Sequence, residues 1–246
     1  MSYREFAIAY DYLMMHAPYD AWVEFVLQNK KKYEVDGNKL LDIACGTGEL
    51  SLRLSRLSFD VTGVDLSAEM LSIAQRKAEQ QNEEIVFFQQ DMSELSSLGV
   101  YDVITIFCDS LNYLTSPAEV IATFQRVREH LRPGGLFLFD VHSVKKIEQY
   151  VTDFLYADNE EKVSYIWKAY RGDSPHAVDH ELTLFVLDDH TNQYERFEEV
   201  HRQRTFTIDQ YSTWLTKAGF IVQETIADFN EEEVAHDAER IFFVCQ

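Results

Sequence analysis

From residue 39 onward, short apolar runs alternate with longer segments of helical period, the pattern that a parallel sheet covered by helices leaves in a sequence. Runs at 39–44, 60–64, 85–89, 102–107 and 136–140 predict five strands. Between the last two, Ser116-Pro117-Ala118-Glu119 supplies an N-cap, a first-turn proline and a capping-box glutamate, so a helix starts there. That helix is expected to end near Pro133-Gly134-Gly135. Past residue 150 the rhythm lengthens: runs at 163–170, 177–187 and 194–203, separated by GDSP and DDHTN turn signals, predict an antiparallel sheet of three strands. A second capping box, Thr207 to Gln210, opens a helix through Lys217 that stops at Gly219. Runs at 220–227 and 240–245 then return to the main sheet, and the acidic stretch Glu231 to Glu233 reads as an exposed loop. The expected fold is α/β: a Rossmann-like seven-stranded sheet with helices on both faces from 35–149 and 206–246, an inserted small antiparallel sheet from 150–205, and an N-terminal helical cover from 1–34.

Composition narrows the field. At 246 residues and 46% hydrophobic, the chain can bury a substantial core. Forty-two acidic residues against 22 basic ones give a net charge of -20, a field that repels polyanions and disfavours a nucleic-acid partner. The basic clusters at Lys30 to Lys32 and at Arg196, Arg202 and Arg204 are short enough to be solvated faces. Cys45, Cys108 and Cys245 lack CxxC spacing, so neither a disulfide framework nor a metal site is expected. Acids and tyrosines interrupt the first twenty residues, and no apolar run approaches the ~18 residues of a membrane span, which points to a cytoplasmic protein without a membrane partner.

The chemistry begins at Leu40-Leu41-Asp42-Ile43-Ala44-Cys45-Gly46-Thr47-Gly48-Glu49-Leu50, a strand running into a glycine-containing turn and a helix. Glycine lets a ligand approach the backbone, and the helix N-terminus offers free N–H groups. Asp65 follows Gly48 by 17 residues at the end of the second strand, where a carboxylate can accept hydrogen bonds from both ribose hydroxyls of an adenosine. A dinucleotide fingerprint needs a third glycine where Ser51 stands, so NAD, and with it an NAD-dependent oxidoreductase, is the alternative rather than the leading reading.

In combination these motifs resemble class I S-adenosylmethionine-dependent methyltransferases, specifically the bacterial small-molecule group with a methyltransferase domain of type 25. DIACGTGEL resembles the family's DxGxGTG motif, with Ala44 where glycine is common; VTGVDLSAEML resembles its second-strand acid, FFQQDMSEL its third-strand acid, and YDVITIFCDSLNYL and LRPGGLFLFDV the segments around strands four and five. The resemblance implies S-adenosylmethionine as cofactor and S-adenosylhomocysteine as product. It sets Gly46 and Gly48 against the methionine and ribose portions, with Ala44, Cys45 and Thr47 lining the turn and Asp42 anchoring the loop or the amino group. It assigns Asp65 to the ribose, Leu66 and Met70 to the faces of the adenine, and Gln90, Asp91 and Met92 to its amino edge, and it turns Cys108 toward the cofactor. An aromatic N-terminal segment (Tyr3, Phe6, Tyr10, Tyr19, Trp22) matches the helical cover of the family, with Tyr10 and Trp22 as lid residues.

Methyl transfer to a neutral amine needs alignment and desolvation, whereas a hydroxyl acceptor also needs a base near its proton. The expected activity is methyl transfer to the N or O atom of a small molecule, with a non-catalytic cofactor-binding module as a further alternative. Asn112, Tyr113 and His142 are the catalytic candidates because they follow strands four and five on the ligand side; Asp109, His180 and His201 could also touch an acceptor. The insertion carries Tyr165, Trp167, Tyr170, His180 and Arg204, residue types that suit an acceptor pocket and equally a homodimer interface.

Overall fold

A computed structural model describes residues 10–152, 154–188, 191–230 and 238–246. Tyr3, Phe6 and the acidic stretch Glu231 to Glu233 lie outside them. Residues 10–13 are helical. There follow α1 (Tyr19–Lys32), β1 (Lys39–Ile43), α2 (Glu49–Ser55), β2 (Asp60–Asp65), α3 (Ala68–Gln81), β3 (Val86–Gln89), β4 (Tyr101–Ile106), α4 (Pro117–His130), β5 (Leu131–His142) and α5 (Val144–Tyr150). Then come β6 (Leu155–Asn159), β7 (Val163–Arg171), β8 (Ala177–Asp188), β9 (Gln193–Arg204), α6 (Ile208–Lys217), β10 (Val222–Ala227) and β11 (Arg240–Cys245).

The main sheet has seven strands in the order β10-β11-β5-β4-β1-β2-β3, parallel except that β11 runs antiparallel to both neighbours. Its side chains alternate between two cores. Leu41, Ile104, Phe137, Phe139 and Phe243 face α4 and α6 through Phe124, Val127, Tyr211 and Leu215. Leu40, Val103, Leu138 and Phe242 face α1, α2 and α3 through Phe25, Val26, Leu52 and Ala78. Both predicted capping boxes form, at Ser116 with Glu119 and at Thr207 with Gln210. None of the described helices is long and apolar enough to cross a membrane.

Two expectations need correction. The inserted sheet has four strands, β6-β7-β8-β9, because the exposed edge strand LYADN lacks the alternation that marks the other three. The helix opened by Ser116 ends at His130, and β5 already begins at Leu131. Pro133-Gly134-Gly135 sits inside that strand as an irregularity: Tyr101 pairs with Leu131 but Val103 with Leu136, and Gly134 takes φ +75°. A proline is tolerated where the ladder is already interrupted.

Candidate active site

Strand order reverses around β1, between β2 and β4, so a crevice opens at the carboxyl ends of these strands. The chain leaves β1 through Ala44 (φ +57°), Gly46 (φ +55°) and Gly48 (φ +77°), left-handed residues that fold the turn back onto α2. Asp65 fastens this turn. Its Oδ2 accepts the Gly46 N–H at 2.8 Å and its Oδ1 the Ser67 N–H at 2.8 Å, leaving lone pairs on both oxygens for further donors. Burial raises the Asp65 carboxyl, and the N–H groups of Ser67 and Gly46 act against that shift.

The two glycines do different work. A Cβ at Gly46 would meet nothing closer than Tyr10 Cε1 at 3.9 Å, so this backbone faces the crevice. A Cβ at Gly48 would lie 2.9 Å from the Ala74 Cβ and 3.3 Å from its Cα, so Gly48 is required by packing against α3. Asp42 is buried beneath the turn; its Oδ2 accepts from Ser51 Oγ at 2.5 Å and its Oδ1 from Thr105 Oγ1 at 2.9 Å. Burial pushes this carboxyl up to about 6 against those two hydrogen bonds. Ser51, which stands where a dinucleotide fingerprint has glycine, is thus a buried partner of Asp42.

Of the residues expected around the cofactor, Tyr10, Asp42, Ala44, Cys45, Gly46, Thr47 and Cys108 line the crevice together. Tyr19, one of the aromatics of the N-terminal segment, joins them, as do Glu49, Leu50, Phe107 and Ser110, which the sequence had given no role. The cavity they enclose, with Tyr10 on one side, is about 30 Å³, room for about a water or two. That side is tied down through Asp11, which accepts from Thr47 Oγ1 at 2.5 Å and pairs with Lys77 Nζ at 2.8 Å.

Leu66, 64% exposed beside Asp65, presents a bare apolar surface. Met70 is half-buried, its N–H on the Ser67 cap. Gln90 spans Ser96 through both ends of its amide, Asp91 caps the turn at Ser93, and Met92 packs on the core. Trp22 is placed elsewhere: 2% exposed, it donates from Nε1 to Asp140 Oδ2 at 2.6 Å and packs on Phe229, outside the crevice lining.

A buried charge network underlies the reactive side. Cys108 (φ +57°) and Asp109 (φ +50°) are consecutive left-handed residues, a strained pair held by the Asp109 N–H on Asp140 Oδ1 at 2.7 Å. Arg240 bridges Asp109 and Asp140 at 2.9 and 2.8 Å, and Gln203 Nε2 donates to Asp109 Oδ2 at 2.8 Å. Burial would raise the Asp109 carboxyl, but His142, its Nε2 3.4 Å away, and Arg240 override it and hold the group well below the usual carboxylate range. Among the catalytic candidates, Asn112 is fully buried and fully used: its Nδ2 donates to the Arg204 carbonyl and its Oδ1 accepts the His142 N–H. Tyr113 is 49% exposed and its hydroxyl lies 3.2 Å from His201 Nδ1; His142 is buried, its Nδ1 without a hydrogen-bond partner among the described residues. His180 accepts from Trp167 Nε1 at 2.9 Å, which leaves its proton on Nε2, and burial lowers its pKa to about 4.

A seven-stranded sheet of this order, with a glycine turn after its first strand and an acid ending its second, defines the class I S-adenosylmethionine-dependent methyltransferase fold. Residues 40–135 match the family model described as a methyltransferase domain. A chain of Geobacillus sp. (strain WCH70) named as a methyltransferase is 52% identical over the full length of both. The dTDP-3-amino-3,6-dideoxy-alpha-D-glucopyranose N,N-dimethyltransferase of Streptomyces fradiae is 27% identical over 68% of this chain and 70% of its own. The crystal structure of an S-adenosylmethionine-dependent methyltransferase from Clostridium acetobutylicum ATCC 824 superposes with a TM-score of 0.89 at 29% identity, covering 100% of this chain and 99% of that one. The chain belongs to the S-adenosylmethionine-dependent methyltransferase family. It is an enzyme, a methyltransferase, and S-adenosylmethionine is the cofactor of the family to which it belongs. The crevice suits that cofactor: backbone open at Gly46, acceptor lone pairs at Asp65 and an exposed apolar wall at Leu66.

Proposed function

We propose that this enzyme methylates the N or O atom of a small molecule seated between the carboxyl edge of the seven-stranded sheet and the inner face of the four-stranded sheet. One observation carries the reading. His201 and Gln203 of β9 reach Tyr113 and Asp109, and those two residues flank or follow Cys108 and Ser110 of the cofactor crevice. The inner face of the inserted sheet therefore meets the reactive side of the cofactor site.

Cofactor binding falls to the Gly46 backbone, Asp42 and Thr47 on the methionine side, Asp65 on the ribose, and Leu66, Met70, Gln90, Asp91 and Met92 around the adenine. When bound, S-adenosylmethionine supplies a methyl group on a positively charged sulfur, which keeps the bonding pair as the methyl leaves. The residues of the chain align the acceptor and exclude water, effects worth up to roughly 7–11 kcal/mol in favourable cases. Tyr113 contacts the acceptor, and His142, paired with Asp109, is the group assigned to receive its proton where the acceptor is a hydroxyl. The amino-sugar specificity in the name of the Streptomyces relative supports a small polar acceptor. The net charge of -20 argues against nucleic acid.

The test is to incubate the enzyme and methyl-deuterated cofactor with the small-molecule, protein and RNA fractions of a cell extract separately. The expected result is label in the small-molecule fraction; label confined to protein or RNA would overturn the proposal.

A further inference from the structure

The unbroken register of β7, β8 and β9 arranges the inner face of the four-stranded sheet in rows: Tyr165–Leu184–Phe197, then Trp167–Leu182–Glu199, then Ala169–His180–His201. Alternate residues of a strand share a face about 7 Å apart, so Glu199 points the same way as Phe197 and His201. Its two neighbours fix where that is. Phe197 packs in a cluster with Tyr12 and Leu13 of the N-terminal segment, and His201 meets Tyr113 in the loop after β4. Two residues before Tyr12, Tyr10 lines the cofactor crevice, as do Cys108 and Ser110 before Tyr113. Glu199 thus faces the space between the N-terminal segment and the post-β4 loop, on the acceptor side of the cofactor.

That carboxylate is a misfit in its row. Its cross-strand neighbour is Leu182, with Trp167 beyond. Among the described residues none forms a hydrogen bond or ion pair with it. The arginines of β9 are used elsewhere, Arg196 against Glu198 and Arg202 against Asp179 on the outer face, while Arg204 donates to the Pro175 and Thr115 carbonyls. Partial burial raises the Glu199 carboxyl with no compensating charge. A half-buried acid on an apolar, aromatic face lacks a counter-charge among the described residues.

We propose that Glu199 binds a cationic nitrogen of the acceptor, so that the substrates of this enzyme are small amines rather than neutral alcohols or acids. The inference rests on the small-molecule reading above and deepens it. The ammonium donates N–H hydrogen bonds to the Glu199 carboxylate and gives one proton to it, and the nitrogen lone pair so freed forms the new N–C bond as the C–S bond breaks with its electron pair left on sulfur; Tyr113 and Trp167 offer aromatic surface to the cation before that proton is lost. The negative charge of the whole chain adds steering of the same sign.

The experiment compares wild type with Glu199→Gln and Glu199→Asp, using methyl-deuterated S-adenosylmethionine and the small-molecule fraction of a cell extract. Products are separated by cation exchange, and N- or O-methylation is assigned by fragmentation. Calorimetry with S-adenosylhomocysteine and a thermal melt check the cofactor site and the fold. Label should appear in N-methylated amines, fall roughly ten- to a hundredfold in kcat/KM in Glu199→Gln, and recover partly in Glu199→Asp, with S-adenosylhomocysteine affinity unchanged. As a second readout, saturation-transfer NMR with benzylamine and benzyl alcohol should detect only the amine, and only with wild type. Label in O-methylated neutral or acidic products, or amine turnover indifferent to Glu199→Gln, overturns the amine assignment and leaves the small-molecule reading standing. Label in no small molecule at all defeats both.

Discussion

Gly46 and Gly48 sit two residues apart in one motif, yet the geometry predicts that alanine at each fails for a different reason. Both are left-handed, which costs a residue with a Cβ about 1–2 kcal/mol. At Gly48 the added carbon also lies 2.9 Å from the Ala74 Cβ, an overpacking worth about 1–3 kcal/mol more. Gly48→Ala should therefore lose about 2–5 kcal/mol, or roughly 4–20 °C in melting temperature for a chain of this size. Gly46→Ala carries only the backbone strain, roughly 2–8 °C. Its Cβ projects into the crevice, however, so S-adenosylhomocysteine affinity should fall about tenfold or more. Thermal melts and titration calorimetry separate the two effects. A double-mutant cycle sharpens the point: Ala74→Gly alone costs about 1 kcal/mol in a helix, but in Gly48→Ala it removes the colliding methyl and should restore part of the lost stability. If Gly48→Ala kept its melting temperature and lost the ligand, or if Ala74→Gly brought no recovery, the division of labour between the glycines would be refuted.

Asp65→Asn removes a charge from a group that both receives the ribose in the proposed site and holds the Gly46 and Ser67 N–H groups; S-adenosylhomocysteine binding should weaken roughly ten- to a hundredfold, and calorimetry on a folded variant with unchanged affinity would contradict the assignment. His180 should make stability fall with acid: its folded pKa of about 4 lies below the ordinary 6.5, so its contribution is present above 6.5 and is lost as pH drops toward 4. The loss amounts to about 2–3 kcal/mol by about pH 4.5, measured as the difference between wild type and His180→Gln in urea unfolding; the comparison cancels Asp42, whose raised pKa of about 6 works in the opposite direction.

The strands of the main sheet were legible to within a residue or two at most boundaries, because each carries an apolar run between clear turn signals; β5, five residues longer at its start, is the exception. The edge strand β6 was not, since an exposed edge needs no alternation. At the site, local motifs carried their own meaning: the turn after β1 and Asp65 lie where the pattern put them. What the pattern could not carry was convergence. Arg240 reaches Asp109 across 131 residues, Gln203 reaches it across 94, and Glu199 acquires its position only through the register of three strands. Asp140 offered a hint, as a lone acid in the run LFLFDV, where an unpaired charge would be intolerable.

The same convergence accounts for the strain around the crevice. Five left-handed residues, Ala44, Gly46, Gly48, Cys108 and Asp109, lie in the two loops that leave β1 and β4, and three of them are not glycine. Strain of this kind persists only where surrounding contacts over-determine it. For the first loop the contacts are Asp65 on Gly46 N–H, and the Cys45 N–H on the Val64 carbonyl at 3.0 Å. For the second they are Asp140 and Arg240, themselves fixed by Trp22 of α1 and by β11. Trp22 thus acts on the active site without lining it: through Asp140 it holds the peptide of Asp109, the residue whose side chain receives His142 and Gln203 and so joins the cofactor crevice to the inserted sheet.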